Sequence, residues 1–226
     1  FWNEKKDWTN ERIKAYITAF PSKKSLLLDY YCERHEVWQQ TDKYFGVPYI
    51  WCYLGNFGGN TVLVGNLYDI NKRLENTFAN GGKNFEGLGV YKRQGLGSTL
   101  EGFDCNPFVY NYVFEKAWDM DIHKDVPRWT EELAVRRIGK DNAKGKAAWK
   151  LLIDSIYADP SRPGQCAMLS IRPTFGKFKT YYANPRFRYS NKTLLTILGL
   201  MLEADGKGAS YSFDVVNVTR QLLGNY

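Results

Sequence analysis

Two short, uninterrupted apolar runs constrain the fold of this chain more than any other feature of its sequence. They cover residues 25–31 and 48–54, and a polar loop follows each of them. Continuous apolar runs of this length are typical of strands that are buried on both faces, and such strands occur mainly in parallel sheets covered by helices. We therefore predict two neighbouring parallel strands at these positions.

Helical patterns alternate with the apolar runs in the first half of the chain. A helical turn is expected around Val37 and Trp38, a further strand at 88–92, and an irregular segment at 94–102. The longer helices are predicted at 9–20, 61–79 and 107–118, the last opened by Asn106 and Pro107. Alternating buried strands and helices favour a parallel α/β sheet or barrel.

The pattern changes near residue 120. Four helical patterns follow with no strand pattern between them, which indicates a helical domain. They cover residues 127–138, 141–157, 192–204 and 213–223. We therefore expect two domains, an α/β part over residues 1–120 and an all-helical part over residues 121–226.

The composition narrows the partners that this chain can have. Its net charge is +7, but the basic residues are scattered among acidic ones, which argues against nucleic-acid binding. With two histidines and four cysteines that show no close pairing, no metal site is predicted. No apolar stretch is long enough to span a membrane. Aromatic residues, at 16% of the chain, suit a core together with a surface that stacks on the apolar faces of sugars or on bases.

Polar side chains follow the predicted strands at the points where ligands bind in parallel α/β barrels. These residues are Asp29, Glu33, Asn56, Asn60 and Glu101. Carboxylates, amides and nearby aromatic rings together are the groups that bind a neutral sugar, because they hydrogen-bond its hydroxyls and stack on its apolar face. The sequence therefore predicts a carbohydrate site at these loops.

Each of these loops also has a purely structural interpretation. Asp29 and Glu33 can cap the segment that follows them, and the residues alone leave both roles open. The glycines of 55–60 suit a tight turn. They also suit phosphate binding, but the loop lacks the Gly-Lys-Ser/Thr of a P-loop and the spacing of a dinucleotide-binding loop.

A continuous string gives the chain a specific resemblance. Residues 49–60 read Tyr-Ile-Trp-Cys-Tyr-Leu-Gly-Asn-Phe-Gly-Gly-Asn, and ordered motifs flank them. The flanking motifs are Leu28-Asp29, Glu33, Leu100-Glu101-Gly102, Asn106, Val109-Tyr110, Trp118, Arg136-Arg137-x-Gly139 and Ala148-Trp149-x-Leu151-Leu152. In this arrangement the chain resembles the α-N-acetylglucosaminidase family of glycoside hydrolases, most strongly over residues 25–157.

The resemblance implies an architecture and an activity. Family members combine a small N-terminal domain, a (β/α)₈ TIM barrel and an α-helical C-terminal domain, so this chain is expected to hold the C-terminal part of the barrel and the start of the helical domain. The implied activity is release of terminal α-linked N-acetylglucosamine with retention of configuration, and the implied nucleophile is Glu101. The implied substrate-binding residues are Asp29, Glu33, Trp51, Asn56, Asn60, Asn106 and Tyr110.

The same resemblance implies that a second catalytic group is missing from the chain. The family's acid/base residue belongs to an Asn-Glu pair on an earlier barrel strand. Asn3-Glu4 does not align with it and follows no buried strand, so we expect this fragment to be inactive alone. The expected partners are a terminal α-N-acetylglucosamine glycan and the remainder of the polypeptide, without cofactor, nucleic acid or membrane. The expected location is periplasmic or secreted in a bacterium and lysosomal in a eukaryote.

A second class of function remains open at this stage. A non-catalytic carbohydrate- or nucleotide-binding module can use the same aromatic and glycine-rich loops. Glu101 distinguishes the two classes, because a binding module does not need a carboxylate at the anomeric carbon and a retaining hydrolase does.

Overall fold

The computed structural model describes residues 7–55, 62–81, 95–99, 101, 106–118, 125–158, 175 and 189–224. The chain divides into two compact units. The first, here the sheet unit, comprises residues 1–54, 69–100 and 112–120, and the second, here the helical unit, comprises residues 55–68, 101–111 and 121–226. Each unit is considered by itself.

The sheet unit is built on a parallel sheet whose described strands follow chain order. The strands are β1 (Leu27–Asp29), β2 (Tyr49–Tyr53) and β3 (Gly95–Ser98). Leu28 pairs with Ile50, and Ile50 pairs with Gly95. The prediction of two neighbouring parallel strands at the apolar runs is therefore confirmed.

The two faces of this sheet differ in what covers them. Tyr49 and Trp51 are fully buried on the face that meets the helices, where Tyr49 stacks on Trp38 with ring centroids 6.4 Å apart. Leu28 points to the opposite face and is 55% exposed. The expectation that the first strand is buried on both faces is therefore wrong for this structure, because Leu28 at its centre is exposed.

Strand β3 lies in a segment that the sequence predicted to be irregular. The sequence analysis did not predict this strand because its two glycines have little strand propensity. In the sheet they make room for Ile50, because a Cβ on Gly97 would come within 3.1 Å of Ile50 Cγ2 and a Cβ on Gly95 within 3.2 Å of Ile50 Cγ1. The predicted strand at 88–92 lies outside the described residues.

Four helices belong to the first half of the chain. They are α1 (Asn10–Thr18), α2 (Val37–Gln40), α3 (Leu67–Asn80) and α4 (Pro107–Trp118), with short 3₁₀ turns at Ser22–Lys24 and Lys43–Gly46. Thr9 caps α1 by accepting a hydrogen bond from Arg12 N. The start predicted for α3 is wrong, because residues 62–66 are not helical and α3 begins at Leu67.

The helical unit contains the helices predicted beyond residue 125. They are α5 (Val126–Ile138), α6 (Ala143–Leu151, continued by a π turn over Leu152–Ile156), α7 (Asn191–Ala204) and α8 (Ala209–Gly224). Gly139 ends α5 in a left-handed conformation, with φ +83°, and its N–H bonds to Val135 O. No strand occurs in the part of this unit that the structure describes.

A buried ion pair joins α5 to α8. Arg137 Nε lies 2.7 Å from Asp214 Oδ2, and the Asp214 side chain is completely buried. Burial raises the pKa of Asp214 to about 6, although the Arg137 guanidinium acts in the opposite direction. The ionised carboxylate of Asp214 is therefore stable in the interior only while the Arg137 guanidinium is present.

Removal of Arg137 tests this dependence. We expect Arg137→Met to lower the free energy of unfolding by about 3 kcal/mol at pH 8, because it leaves a buried carboxylate without its cation. The loss should shrink toward pH 5, where protonation of Asp214 removes the charge. Urea unfolding of the chain at both pH values measures it.

The matched control is the exposed pair Lys144–Glu203, whose side chains are 58% and 59% exposed. Lys144→Met should change stability by less than about 0.5 kcal/mol at either pH, as is usual for surface pairs. Equal losses for the two variants would contradict the role given to Arg137.

Candidate active site

Glu101 follows strand β3 in the sequence, three residues after the strand ends at Ser98. The ladder continues one residue past the strand, since Thr99 N donates to Tyr53 O at 3.0 Å and Ser98 Oγ donates to the same oxygen at 2.8 Å. Glu101 comes two residues later and is exposed. Leu100 and Gly102, its neighbours in the motif, lie outside the described residues. In a parallel sheet, reactive groups are carried at this end of the strands.

Asp29 ends strand β1 and is fully buried on the helix-covered face. Its carboxylate accepts hydrogen bonds from Val37 N at 3.3 Å and Trp38 N at 3.0 Å, the first amides of α2. Burial raises the pKa of Asp29 to about 6, although these bonds and one from the Tyr44 hydroxyl act to lower it. The carboxylate therefore caps α2, which is one of the two roles that the sequence left open.

Glu33 holds the end of strand β2. Its side chain is largely buried, and Oε2 accepts a hydrogen bond from Leu54 N at 3.1 Å. Leu54 lies directly after the strand and two residues before Asn56. Glu33 thus fixes the backbone where the glycine-rich loop begins. Asn56 and Asn60, the predicted sugar-binding amides of that loop, lie outside the described residues.

Trp51 lies in the packed layer between the sheet and the helices. Its ring is fully buried, and its Nε1 donates to Glu36 Oε1 at 3.0 Å. A tryptophan that stacks on a sugar must present a ring face, and Trp51 presents none in this structure. Its predicted contact with substrate stays a prediction, and its observed position is that of a core residue.

Glu36 organises this region, and the sequence analysis did not select it. The residue is 6% exposed, and five side-chain donors among the described residues converge on its carboxylate. They are Trp38 Nε1 (3.2 Å), Trp51 Nε1 (3.0 Å), Thr77 Oγ1 (3.1 Å), Gln39 Nε2 (2.7 Å) and Arg73 (3.2 Å). One feature of the sequence could have indicated its burial. Glu36 directly precedes the apolar pair Val37-Trp38, whose burial carries the neighbouring carboxylate into the interior.

Asn106 precedes helix α4 in a left-handed conformation, with φ +48°, which asparagine adopts more readily than most residues. The side chain is buried. Its Oδ1 accepts from Val64 N at 3.1 Å, and its Nδ2 donates to Val62 O at 3.3 Å. Asn106 therefore ties the start of α4 to the segment that follows the glycine-rich loop. Tyr110, one turn later on α4, is half-buried.

The described residues offer no obvious place for a metal. None of their His, Cys, Asp and Glu side chains form a group of three or more that could hold an ion. Cys32 and Cys52 are both buried and carry free thiols.

Among the described helices, none has both the length and the apolar character required to cross a bilayer.

Two family models together match most of the chain. The one described as "Alpha-N-acetylglucosaminidase (NAGLU) tim-barrel domain" matches residues 1–120, and the one described as "Alpha-N-acetylglucosaminidase (NAGLU) C-terminal domain" matches residues 129–226. The chain belongs to the α-N-acetylglucosaminidase family. The resemblance drawn from the sequence motifs is thereby confirmed.

Individual relatives agree with this assignment. The human protein named alpha-N-acetylglucosaminidase is 28% identical over 228 residues, which cover 99% of this chain and 29% of the human one. A family 89 glycoside hydrolase from Clostridium perfringens, solved in complex with PUGNAc, matches with a TM-score of 0.73 and 23% identity, over 99% of this chain and 24% of that chain. This chain thus spans less than a third of the length of these relatives.

A further solved structure shows a variant of the Clostridium perfringens protein, with two Glu-to-Gln substitutions, in complex with its substrate GlcNAc-α-1,4-galactose. It matches with a TM-score of 0.66 and 24% identity, over 88% of this chain and 22% of that chain. The tim-barrel family model and these likenesses fit a TIM-barrel-like part in this chain, and its described strands form a parallel sheet.

The burial of Asp29 predicts a pH dependence of stability. Because its pKa is raised from 3.8 to about 6 in the folded chain, the folded state binds this proton more tightly than the unfolded state does. Stability from this group is fully present below about pH 4 and is lost as the pH rises through about 6, a change of about 3 kcal/mol.

Asp29→Asn removes this titration. We expect the difference in unfolding free energy between the parent chain and Asp29→Asn to fall as the pH rises from 4 to 7, in urea unfolding at several pH values. Asp42→Asn removes the same charge from an exposed position of the sheet unit and is the control. A difference that does not change with pH would contradict the buried position of Asp29.

Proposed function

We propose that the polypeptide carrying this chain is a retaining exo-glycosidase that releases terminal α-linked N-acetylglucosamine. The observation that carries the proposal is the position of Glu101 in the sequence, an exposed carboxylate three residues after the last described strand of a parallel sheet, in a member of the α-N-acetylglucosaminidase family. The ligands in the related Clostridium perfringens structures, including GlcNAc-α-1,4-galactose, support the same substrate class.

Glu101 is the nucleophile in this proposal. Its carboxylate attacks the anomeric carbon as the glycosidic bond breaks, and a second carboxyl group protonates the leaving oxygen. This forms a glycosyl ester, which water then cleaves while the second group accepts the proton from that water. In retaining enzymes the two groups lie about 5–5.5 Å apart, on opposite sides of the bond. The exposure of Glu101 leaves its carboxylate accessible to a substrate.

The second carboxyl group comes from a part of the polypeptide outside this chain. We assign β1, β2 and β3 to the final strands of the barrel, so that earlier strands supply the acid. The exposed Leu28 on the open face of the sheet supports this, because a closed barrel covers that face. Residues 121–226 begin the α-helical domain that follows.

The predicted substrate residues divide into two groups. Asn56, Asn60 and Tyr110 are proposed to contact the sugar. Asp29, Glu33, Trp51 and Asn106 are proposed to act by fixing the loops, because each is buried and already bonded to protein groups. Such supporting contacts hold the reactive groups in productive positions. We expect the enzyme to act in the periplasm or outside the cell if it is bacterial, and in the lysosome if it is eukaryotic.

Substitution of Glu101 tests the proposal in the full-length polypeptide. Glu101→Ala should lower the turnover of an aryl α-N-acetylglucosaminide by at least about 10³-fold while leaving the fold intact, because no ester can form. Azide should restore part of the activity and yield a glycosyl azide of inverted configuration, since a small anion can occupy the vacated space.

Glu131→Ala, which removes an exposed carboxylate from α5, is the control and should keep ordinary turnover. Ordinary turnover by Glu101→Ala, or a covalent adduct trapped on another carboxylate, would rule out Glu101 as the nucleophile.

The 226-residue chain alone provides a separate test. We expect it to release no detectable sugar from the same substrate, because general acid catalysis contributes roughly 10²–10⁴-fold and part of the sugar pocket is missing as well. Colorimetric assay of the purified chain, beside the full-length enzyme, measures this. Robust turnover by the chain would mean that it contains its own acid, and Glu4 would then be the first residue to substitute.

A further inference from the structure

Helix α7 carries exposed apolar side chains in addition to its buried face. Its buried residues are Leu194, Ile197, Met201 and Ala204. On another side of the helix, Leu195 and Leu202 are 50% and 61% exposed, and Leu198 is half-buried. Spacings of three, four and seven residues place side chains on one flank of a helix. Leu195, Leu198 and Leu202 therefore form one row, here the α7 stripe.

The sequence of α7 is that of an interior helix. Residues 193–202 read Thr-Leu-Leu-Thr-Ile-Leu-Gly-Leu-Met-Leu and include no charged residue. A helix at the surface of a soluble protein usually places charged and polar residues opposite its buried face, whereas a helix that is apolar on most sides is covered on most sides. The described residues leave the α7 stripe exposed, so they account for only part of the packing that this sequence indicates.

Gly199 lies in the same region of the helix, four residues after Leu195 and three before Leu202. A Cβ added to it would meet no atom within 4 Å in the part of the chain that the structure describes. Glycine in a helix interior is less favourable than alanine, and no described neighbour requires it here. A missing side chain in the middle of an apolar row does, however, let another backbone approach the helix closely.

Helix α8, which follows α7 in the chain, also exposes apolar side chains. They are Phe213 (40% exposed), Val216 (60%) and Leu223 (61%). Their spacings of three and seven residues again place them on one side of the helix. Two successive helices of the helical unit thus present apolar rows, and such rows mark an interaction surface more often than isolated apolar residues do.

A second copy of this chain is a poor occupant for these rows. A stable pair of proteins buries about 800 Å² on each partner, and five partly exposed apolar side chains supply well below that. A segment of the same polypeptide needs less area, because the covalent connection keeps its effective concentration high. Such segments exist in the relatives, since this chain spans less than a third of their length.

We propose that the α7 stripe is the docking surface for an amphipathic helix from the part of the same polypeptide that lies outside this chain. The apolar face of that helix covers Leu195 and Leu202, and the two backbones come closest at Gly199. The partner helix is expected to place a larger apolar side chain over Gly199, as ridges on one helix fill grooves on another. This inference goes beyond the proposed glycosidase function and does not depend on it.

Cysteine labelling of the full-length polypeptide tests whether the stripe is covered. Leu195→Cys and Leu202→Cys are compared with Thr196→Cys, which places a thiol on an exposed polar position of the same helix. We expect maleimide to label the two stripe positions at least about 100-fold more slowly than the control, because labelling then requires local opening. Mass spectrometry of the α7 peptide follows each reaction separately from the other cysteines. Labelling within about threefold of the control would overturn the proposal.

Photocrosslinking identifies the occupant. A photoreactive diazirine analogue of leucine is placed at position 202 of the full-length polypeptide, and the product is analysed on a denaturing gel and by mass spectrometry. We expect a product of monomer mass whose crosslinked peptide lies outside residues 1–226. A product of dimer mass would show that a second copy covers the stripe. A crosslink within residues 1–226 would assign it to this chain, and either result overturns the proposal.

Substitution of Gly199 tests the close approach. Gly199→Leu should lower the melting temperature of the full-length polypeptide by at least about 3 °C, because the new side chain occupies the space of the partner helix. Thr196→Leu adds an apolar side chain at the exposed control position and should change it by less than about 1 °C. A melting temperature for Gly199→Leu that is unchanged or raised would contradict the packing at Gly199. Should Gly199→Leu fail to fold, the labelling and crosslinking results decide.

Discussion

The buried carboxylate of Glu36 holds the sheet unit together. A charge taken out of water costs several kcal/mol unless hydrogen bonds and a counter-charge replace the solvent. Glu36 obtains both, because the indoles of Trp38 and Trp51 donate to it and Arg73 supplies the positive charge. These partners come from α2, β2 and α3. The carboxylate is therefore satisfied only when all three elements are in place, which makes their packing cooperative.

Three carboxylates within the eight residues that start at the end of β1 stabilise this edge of the sheet unit in different ways. Asp29 orients α2, Glu33 fixes the backbone after β2, and Glu36 joins both elements to α3. None of them is free to move toward a ligand without breaking these bonds. The polar loop after the first strand thus builds the edge of the sheet.

The sequence predicted the parallel strands because the apolar runs at 25–31 and 48–54 are local signals. It missed β3 because Gly95 and Gly97 carry no strand propensity, and their value appears only opposite Ile50. It placed the start of α3 too early because Val64 fits a helical period, whereas the backbone there is bound by side chains that lie far away in the sequence. The buried roles of Asp29 and Trp51 were hidden for the same reason, since burial depends on partners that local patterns do not specify.

The connection between β2 and α3 is long for its kind. It runs over residues 54–66, whereas connections of this kind in α/β proteins usually have about 2–6 residues. In its described part, the backbone of Leu63 is bound by the side chains of Tyr189 and Gln221. A barrel part without residues 189 and 221 would leave both backbone groups of Leu63 buried and unbonded, at a cost of about 1–3 kcal/mol each. The placement of the buried segment 62–64 therefore depends on the side chains of residues 189 and 221, which lie far away in the sequence.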